Sequence, residues 1–308
     1  MWYAVRKLVR AMFAILLVLT LTFTVLRASG DPAAIILPAD APPEALDAYR
    51  ALWGLDKPLL RQYGSYLASI MRGSFGQSFL DGRDAVSVVF DRLPATLVLV
   101  IGAIGITVFV GIPAGIAAAL NRGGWVDRSV MALAVSGFAL THFFLAMVLI
   151  LVFAVEWRLL PSAGSGTLAH VILPTIAMSL ARTGTIARFM RSSMLEVLHK
   201  PFVRAAKARG LGNRQVLLRH ALPNAALPTL TMLGFTIAGF VGGAVVIETV
   251  FAWPGIGRLL MVSVQARDLA VVQTIVVFIA AVTIAINLLI DLMYGWIDPR
   301  IRDGGLAR

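Results

Sequence analysis

Residues 202–223 read FVRAAKARGLGNRQVLLRHALP. This basic stretch decides the fold, because apolar runs lie on both sides of it. Pro201, just before it, suits the first turn of a helix, where it has no N–H to lose. Phe202, Ala205, Ala206 and Arg209 then share one helical face, while Arg204 and Lys207 point elsewhere. Gly210 can take the left-handed conformation that stops the helix. Asn213 is placed to cap a second short helix that runs to Leu222 and ends at Pro223. The expected result is a compact helix–turn–helix elbow at a membrane surface.

The surrounding composition requires that membrane. Of the 308 residues, 59% are hydrophobic, and the mean hydropathy is +0.85. Apolar residues come in long runs, so the class is an all-α polytopic membrane protein. The net charge of +11 gathers at the ends of these runs. That distribution is a topology signal under the positive-inside rule and points away from nucleic acid. The chain contains no cysteine, which excludes disulfides, thiolate nucleophiles and Cys-based metal sites.

Working outward, Arg6, Lys7 and Arg10 mark a cytoplasmic start before the uncharged run 11–26. Ala28-Ser29-Gly30 could form a signal-peptide cleavage region. Arg27 argues against cleavage, and an uncleaved first span with snorkelling arginines is preferred. Residues 30–92 form an extracytoplasmic, polar segment. A short helix is expected over 44–53. A second, capped by Asp56, would carry Leu59, Leu60, Tyr63, Leu67 and Ile70 on one apolar face and lie flat on the membrane.

Residues 93–121 form the second span, with a kink expected at Pro113 and with Gly102, Gly105, Gly111 and Gly115 permitting close packing. The third span covers 129–155. The fourth begins near Val171 and continues as helix through Arg182 to Arg188 or Arg191. From Arg182 to Arg219 there are nine Lys or Arg and one acid, Glu196, which places the elbow inside. The fifth span is 221–247, an outer stretch is 248–267, and the sixth span is 269–290. Residues 1–29, 30–92, 93–297 and 298–308 are thus first span, outer segment, five-span core with elbow 200–223, and cytoplasmic tail. Six spans place both termini inside.

The elbow resembles the EAA loop of ABC importer permeases. Arg204-Ala205-Ala206, Gly210 and Leu222-Pro223 stand at the family spacing. Arg204 replaces the usual Glu and His220 the usual Ile, and both departures resemble the peptide-importer branch. Gly73-Ser74-Phe75-Gly76-Gln77-Ser78, the outer run from Glu248 through Val250-Phe251 and Pro254-Gly255 to Gly257, and terminal Asp298-Pro299-Arg300 resemble further motifs of that branch in the same order. The whole is similar to the first of two permease subunits in dipeptide/oligopeptide importers, with the type I fold.

The resemblance implies that Phe202, Arg204, Ala205, Ala206, Lys207, Gly210, Leu211, His220, Leu222 and Pro223 form the ATPase-coupling loop. Small Ala205 and Ala206 would allow close backbone contact with an ATPase groove. It also implies that Phe251, Trp253, Pro254 and Gly255 face a solute-binding protein outside. The implied partners are a second, related permease (or a second copy), two cytoplasmic ATP-binding domains that hold ATP and Mg, the binding protein, a peptide and the bilayer. Nickel complexes, glutathione and haem are alternative solutes of the branch.

Chemistry in the chain itself is sparse. There is no phosphate loop of the Gly-x-x-x-x-Gly-Lys-Ser/Thr type and no His-Glu-x-x-His, so no cofactor, metal site or catalysis is expected of this chain alone. An ion-coupled secondary transporter is the rival reading, but the spans carry almost no acids for coupling. His142 either lines a solute path or is a neutral ring bonded to a neighbouring carbonyl. Glu248 is either a path residue or an interface carboxylate. Gly239, Gly242 and Gly243 complete the candidate path. A peptide's charged termini are costly to desolvate, so that path must hold water.

Overall fold

A computed structural model describes residues 2–28, 42–53, 55–78, 80–139 and 141–297. The terminal Asp298-Pro299-Arg300 and the cleavage-region residues Ser29 and Gly30 lie outside the described residues. The described chain is helical, with one isolated antiparallel bridge between Gln77 and Asp84. It divides into two compact units, residues 1–94 with 259–308, and residues 95–258.

In the first unit, α1 (Trp2–Ala28) lies along α12 (Leu269–Ile297). The short helices α2 (Pro43–Trp53) and α3 (Leu59–Met71) follow α1. Asp56 does not cap α3. Pro58 occupies the cap position and no side chain closes that end. A fixed proline φ starts the helix without a carboxylate. Of the expected apolar face, Leu59 and Leu60 are 63% and 84% exposed, while Tyr63, together with Tyr66, packs on Phe23 at ring distances of 5.2 and 5.3 Å. Burial pushes the Tyr66 phenol up to about 12. The Gly73–Ser78 run is tied in by Ser78, whose hydroxyl donates to Asp268 Oδ2 at 2.5 Å in a buried contact.

The second unit is built on α8 (Leu168–Leu198), a helix of 31 residues that would be about 46 Å long at 1.5 Å per residue. It runs through Arg182, Arg188 and Arg191 as the sequence suggests. Around it stand the C-terminal part of α4 (Ala85–Ile106), α5 (Ile112–Leu120), α6 (Trp125–Ala139), α7 (His142–Leu149) and α11 (Leu222–Val250). Close packing is literal here. A Cβ on Gly115 would stand 2.5 Å from the Ala187 carbonyl oxygen, and one on Gly184 2.7 Å from the Ala134 Cα. Gly105, by contrast, meets nothing. One core joins Leu99, Leu173, Met178, Phe240, Ile247 and Phe251, and another joins Met190, Met194, Val203, Ala206, Val216 and Ala221.

Two expectations about prolines change. Pro113 is not at a simple kink. It is the second residue of α5, directly after a π-helical segment, Thr107–Gly111. Pro223 does not end a short helix. It is the second residue of α11, directly after another π-helical segment, Val216–Ala221. The wider π turn shifts the hydrogen-bond register just where the proline has no N–H to give, so the helix continues.

The expected continuous third span is also broken. Helix α6 and the stretch from α7 through a π-helical segment, Ile150–Glu156, are bent by 106°. Thr141 caps α7, accepting from Phe144 N at 3.4 Å. Lys7–Val25, Ala85–Leu120, Asn213–Val250 and Leu269–Ile290 are each long and apolar enough to cross a membrane, and the bent pair adds one if it is a single span. Helix α8 has the length, but carries three arginines.

Candidate functional site

The elbow is helix α9 (Pro201–Ala208), a turn, and then α10 (Asn213–Gln215) leading through the π segment into α11. Pro201 opens α9 in its first turn. Gly210 has φ +80° and its N–H donates to Lys207 O at 3.0 Å. That left-handed geometry favours glycine. Gly212, not Asn213, stands at the cap position of α10, and no side chain caps it.

The elbow has two distinct faces. Val203 and Ala206 are buried in the chain's own second core, with Met194, Val197 and Val216. Phe202, Arg204, Ala205, Lys207 and Arg209 are exposed, and so is Gly210. The expectation that both alanines face a partner is therefore corrected. Ala206 is buried in the same core cluster as Met190, Met194 and Val216, and Ala205 alone keeps an open face. Leu211 and Leu222 are half-buried against the same core. His220 is half-buried in the π segment, where its carbonyl accepts from Asn224 Nδ2 at 2.7 Å, and Pro223 is exposed.

A bidentate pair sits on the same helix that feeds the elbow. Arg191 donates from Nε to Asp127 Oδ1 at 2.5 Å and from Nη2 to Oδ2 at 2.7 Å. The Gly123 N–H adds a further bond to Asp127 at 2.9 Å. The pair fixes the 121–124 turn to α8 by charge-assisted, planar contacts.

At the other end, the run from Glu248 to Gly257 turns into the chain's own core. Phe251 and Trp253 are 1% and 5% exposed, and the Trp253 indole N–H donates to Ala95 O at 2.9 Å. Gly255 is buried too, and Pro254 is half-buried. Phe251, Trp253 and Gly255 thus face the chain's own interior, not an outside partner as expected. Their aromatic surface is large and finds its partners at the top of α8 and α11.

Glu248 is corrected in the same way. It is fully buried, with its carboxylate accepting from Thr96 Oγ1 at 2.6 Å, Gly257 N at 2.7 Å and Arg258 N at 3.1 Å. Its oxygens are committed to holding the turn, so it is not a path residue. A Cβ on Gly255 would overlap the Glu248 carboxylate, which explains the glycine there.

Among the candidate path residues, Gly239 and Gly243 lie against Arg182. The Arg182 Nη2 donates to Gly239 O at 2.7 Å, and the guanidinium sits 4.8 Å from the Phe240 ring centroid. A Cβ on Gly239 would stand 2.6 Å from Arg182 Nη1, whereas Gly242 faces open space. His142 is the first residue of α7, at the bend in the expected third span. Its buried Nδ1 has no hydrogen-bond partner, so the neighbouring-carbonyl alternative does not account for that nitrogen. Sequence reasoning passed over Arg182, Thr96 and the Asp127–Arg191 pair. For Arg182 a signal existed, since a cation inside an apolar run is costly. Among the described residues no group of His, Asp or Glu is arranged to hold a metal ion.

Comparison with known proteins completes the picture. Residues 111–303 match the family described as "Binding-protein-dependent transport system inner membrane component", and residues 1–100 match the corresponding N-terminal family. The glutathione transport system permease protein GsiC of Escherichia coli (strain K12) is 37% identical over 301 residues, which cover 97% of this chain and 98% of that protein. A Brucella abortus (strain 2308) protein, provisionally named a peptide transport system permease, is 38% identical over 306 residues, covering 96% and 98%. Of solved structures, inward-facing MetNI, a methionine ABC transporter, superposes with a TM-score of 0.55 at 18% identity, covering 68% of this chain and 96% of that one. An amino acid ABC transporter solved with histidines gives 0.52 at 15% identity, covering 67% and 92%.

Proposed function

Because this chain belongs to the family of binding-protein-dependent transport system inner membrane components, and is a multi-pass permease subunit of an ABC transporter that is not catalytic by itself, we propose that it forms half the wall of an import path for di- or oligopeptides. In this reading it has six spans, with residues 30–92 and the 248–267 stretch outside, the elbow and both termini inside, and a second related permease across the path. A solute-binding protein delivers the peptide. Two cytoplasmic domains bind ATP and Mg and dock on the exposed elbow face formed by Phe202, Ala205 and Arg209.

The observation that carries the proposal is the two-faced elbow. One face is welded to the chain's own core and the other is open and basic. A segment packed into its own protein on one side can transmit a push received on the other. Glutathione is the second solute reading, favoured by the GsiC relative; it is itself a small peptide with free carboxylates.

Stepwise reconstitution tests this. The chain alone, then with the second permease, the ATPase domains, the binding protein and ATP, is placed in liposomes loaded and assayed for trialanine and glutathione uptake. Uptake is expected only with the full set and only while ATP is hydrolysed. Accumulation by the lone chain under a proton or sodium gradient would instead make it a secondary transporter.

A further inference from the structure

Arg182 is a half-buried cation within the helices of the second unit. It lies 14 residues into α8 and Gly239 lies 11 residues before the end of α11, each about 15–20 Å along its helix from the outer end. Among the described residues Arg182 makes no ion pair. Among the described residues its one hydrogen bond is to Gly239 O. A guanidinium carries five N–H donors, so most of its donating capacity is unspent. The glycine strip 239–243 lets it lie against the α11 backbone, and Gly242 beside it faces open space. Helix α7, which begins at His142, packs on both α8 and α11, and the buried Nδ1 of His142 also lacks a partner. A half-buried charge without a counter-ion, near an unpartnered buried nitrogen, is costly unless something else completes it.

We propose that Arg182 and His142 together form a carboxylate-binding site at mid-membrane depth, which receives the free carboxylate of the solute as it passes. The guanidinium supplies fork-shaped donors matched to a carboxylate, and the imidazole supplies one more. Phe240 and Gly239 hold the guanidinium in place from the other side. The site explains why a cation is kept in an otherwise apolar wall. It also makes a prediction about solutes: the acid, not the amide, is carried. The proposal rests on the peptide-import reading. Peptide C-termini and the carboxylates of glutathione share the required chemistry.

The test uses the complete reconstituted transporter and two probes, trialanine and its C-terminal amide, each at concentrations that saturate the binding protein. Saturation removes the binding protein's own preference from the rate. Wild-type is expected to import the acid at least about tenfold faster than the amide, the size expected of a charge-assisted contact. Arg182→Gln should bring the ratio near one, Arg182→Lys should leave it intermediate, and His142→Ala should lower it severalfold. If the binding protein refuses the amide, the same ratio is read as equilibrium binding of both probes to the permease–ATPase complex in nanodiscs. A wild-type ratio near one, or a ratio unchanged in Arg182→Gln, overturns the site while leaving peptide import intact. Should Arg182→Gln fail to reach the membrane, the wild-type ratio and Arg182→Lys decide. If glutathione alone is imported, it and its dimethyl ester replace the probes. A complex that imports none of these solutes overturns the peptide reading and the site with it.

Discussion

The carboxylate of Glu248 and the hydroxyl of Thr96 meet at 2.6 Å although 152 residues separate them. Both side chains are buried, and Thr96 Oγ1 also accepts from Ile256 N at 2.8 Å. The two residues therefore hold the turn after α11 from both sides. Glu248→Ala leaves Thr96 Oγ1, Gly257 N and Arg258 N without an acceptor. Each orphaned buried group costs about 1–3 kcal/mol, so a drop of several degrees in melting temperature is expected. Thermal melting of the purified protein in detergent measures it. Gly255→Ala should be nearly as damaging, while Gly242→Ala, facing open space, should melt like wild-type.

The two alanines of the elbow should behave differently. Ala206→Glu forces a carboxylate into the core of Met190, Met194 and Val216, and burying an unpaired charge costs several kcal/mol. Its level in the membrane should fall. Ala205→Glu adds a charge on the exposed face and should leave the level unchanged while ATP-driven uptake is lost. Membrane immunoblots alongside uptake separate the two. Equal membrane levels with equal uptake would mean that the open face is not the docking face.

Gly210→Ala isolates backbone geometry from packing. A Cβ there meets nothing within 4 Å, so the whole effect comes from φ +80°. Strain of about 1 kcal/mol is expected. Uptake should fall only modestly, and far less than in Ala205→Glu.

The Asp127–Arg191 pair should resist conservative replacement. Arg191→Lys cannot reproduce the two parallel bonds, and Asp127→Ala strands a half-buried guanidinium. A double-mutant cycle with Arg191→Ala and Asp127→Ala should give a coupling of about 1.5–3 kcal/mol. Additivity within error would show that the pair is a passive surface contact.

Orientation is checked with the protein's own lack of cysteine. Single cysteines at Asp56 and Lys207 are treated with an impermeant maleimide on intact cells. Position 56 should label and 207 should not, as the basic elbow requires. Labelling only at 207 would invert the topology.

Local rules read from the sequence succeeded where the cause was local. Gly210 is left-handed, Pro201 opens a helix, and helix α8 runs on through its arginines, all for reasons visible within a few residues. They failed where the cause lay far along the chain. Trp253 looked like a surface residue of an outer loop because its partner, the Ala95 carbonyl, is 158 residues away. Ala206 looked like a partner contact because Met190 and Val216 could not be seen around it. Pro223 looked like a stop because a π turn before it leaves no signature in residue type. Arg182 was read as the edge of an apolar run, since nothing adjacent reveals the glycine strip it rests on.

The helix that leaves the elbow does not stop until the turn beyond Glu248. Residues 213–250 form 38 residues of uninterrupted helix, a contour of about 57 Å at 1.5 Å per residue. Its near end begins three residues after Gly210, and its far end carries Glu248. Such a rod is a lever. Were it to pivot at the elbow as a rigid arm, a tilt of about 5° would displace the far end by roughly 5 Å, more than any hydrogen bond at Glu248 could stretch. The turn pinned by Thr96 would therefore ride with the rod, carrying a movement of the elbow to the far end of the helix.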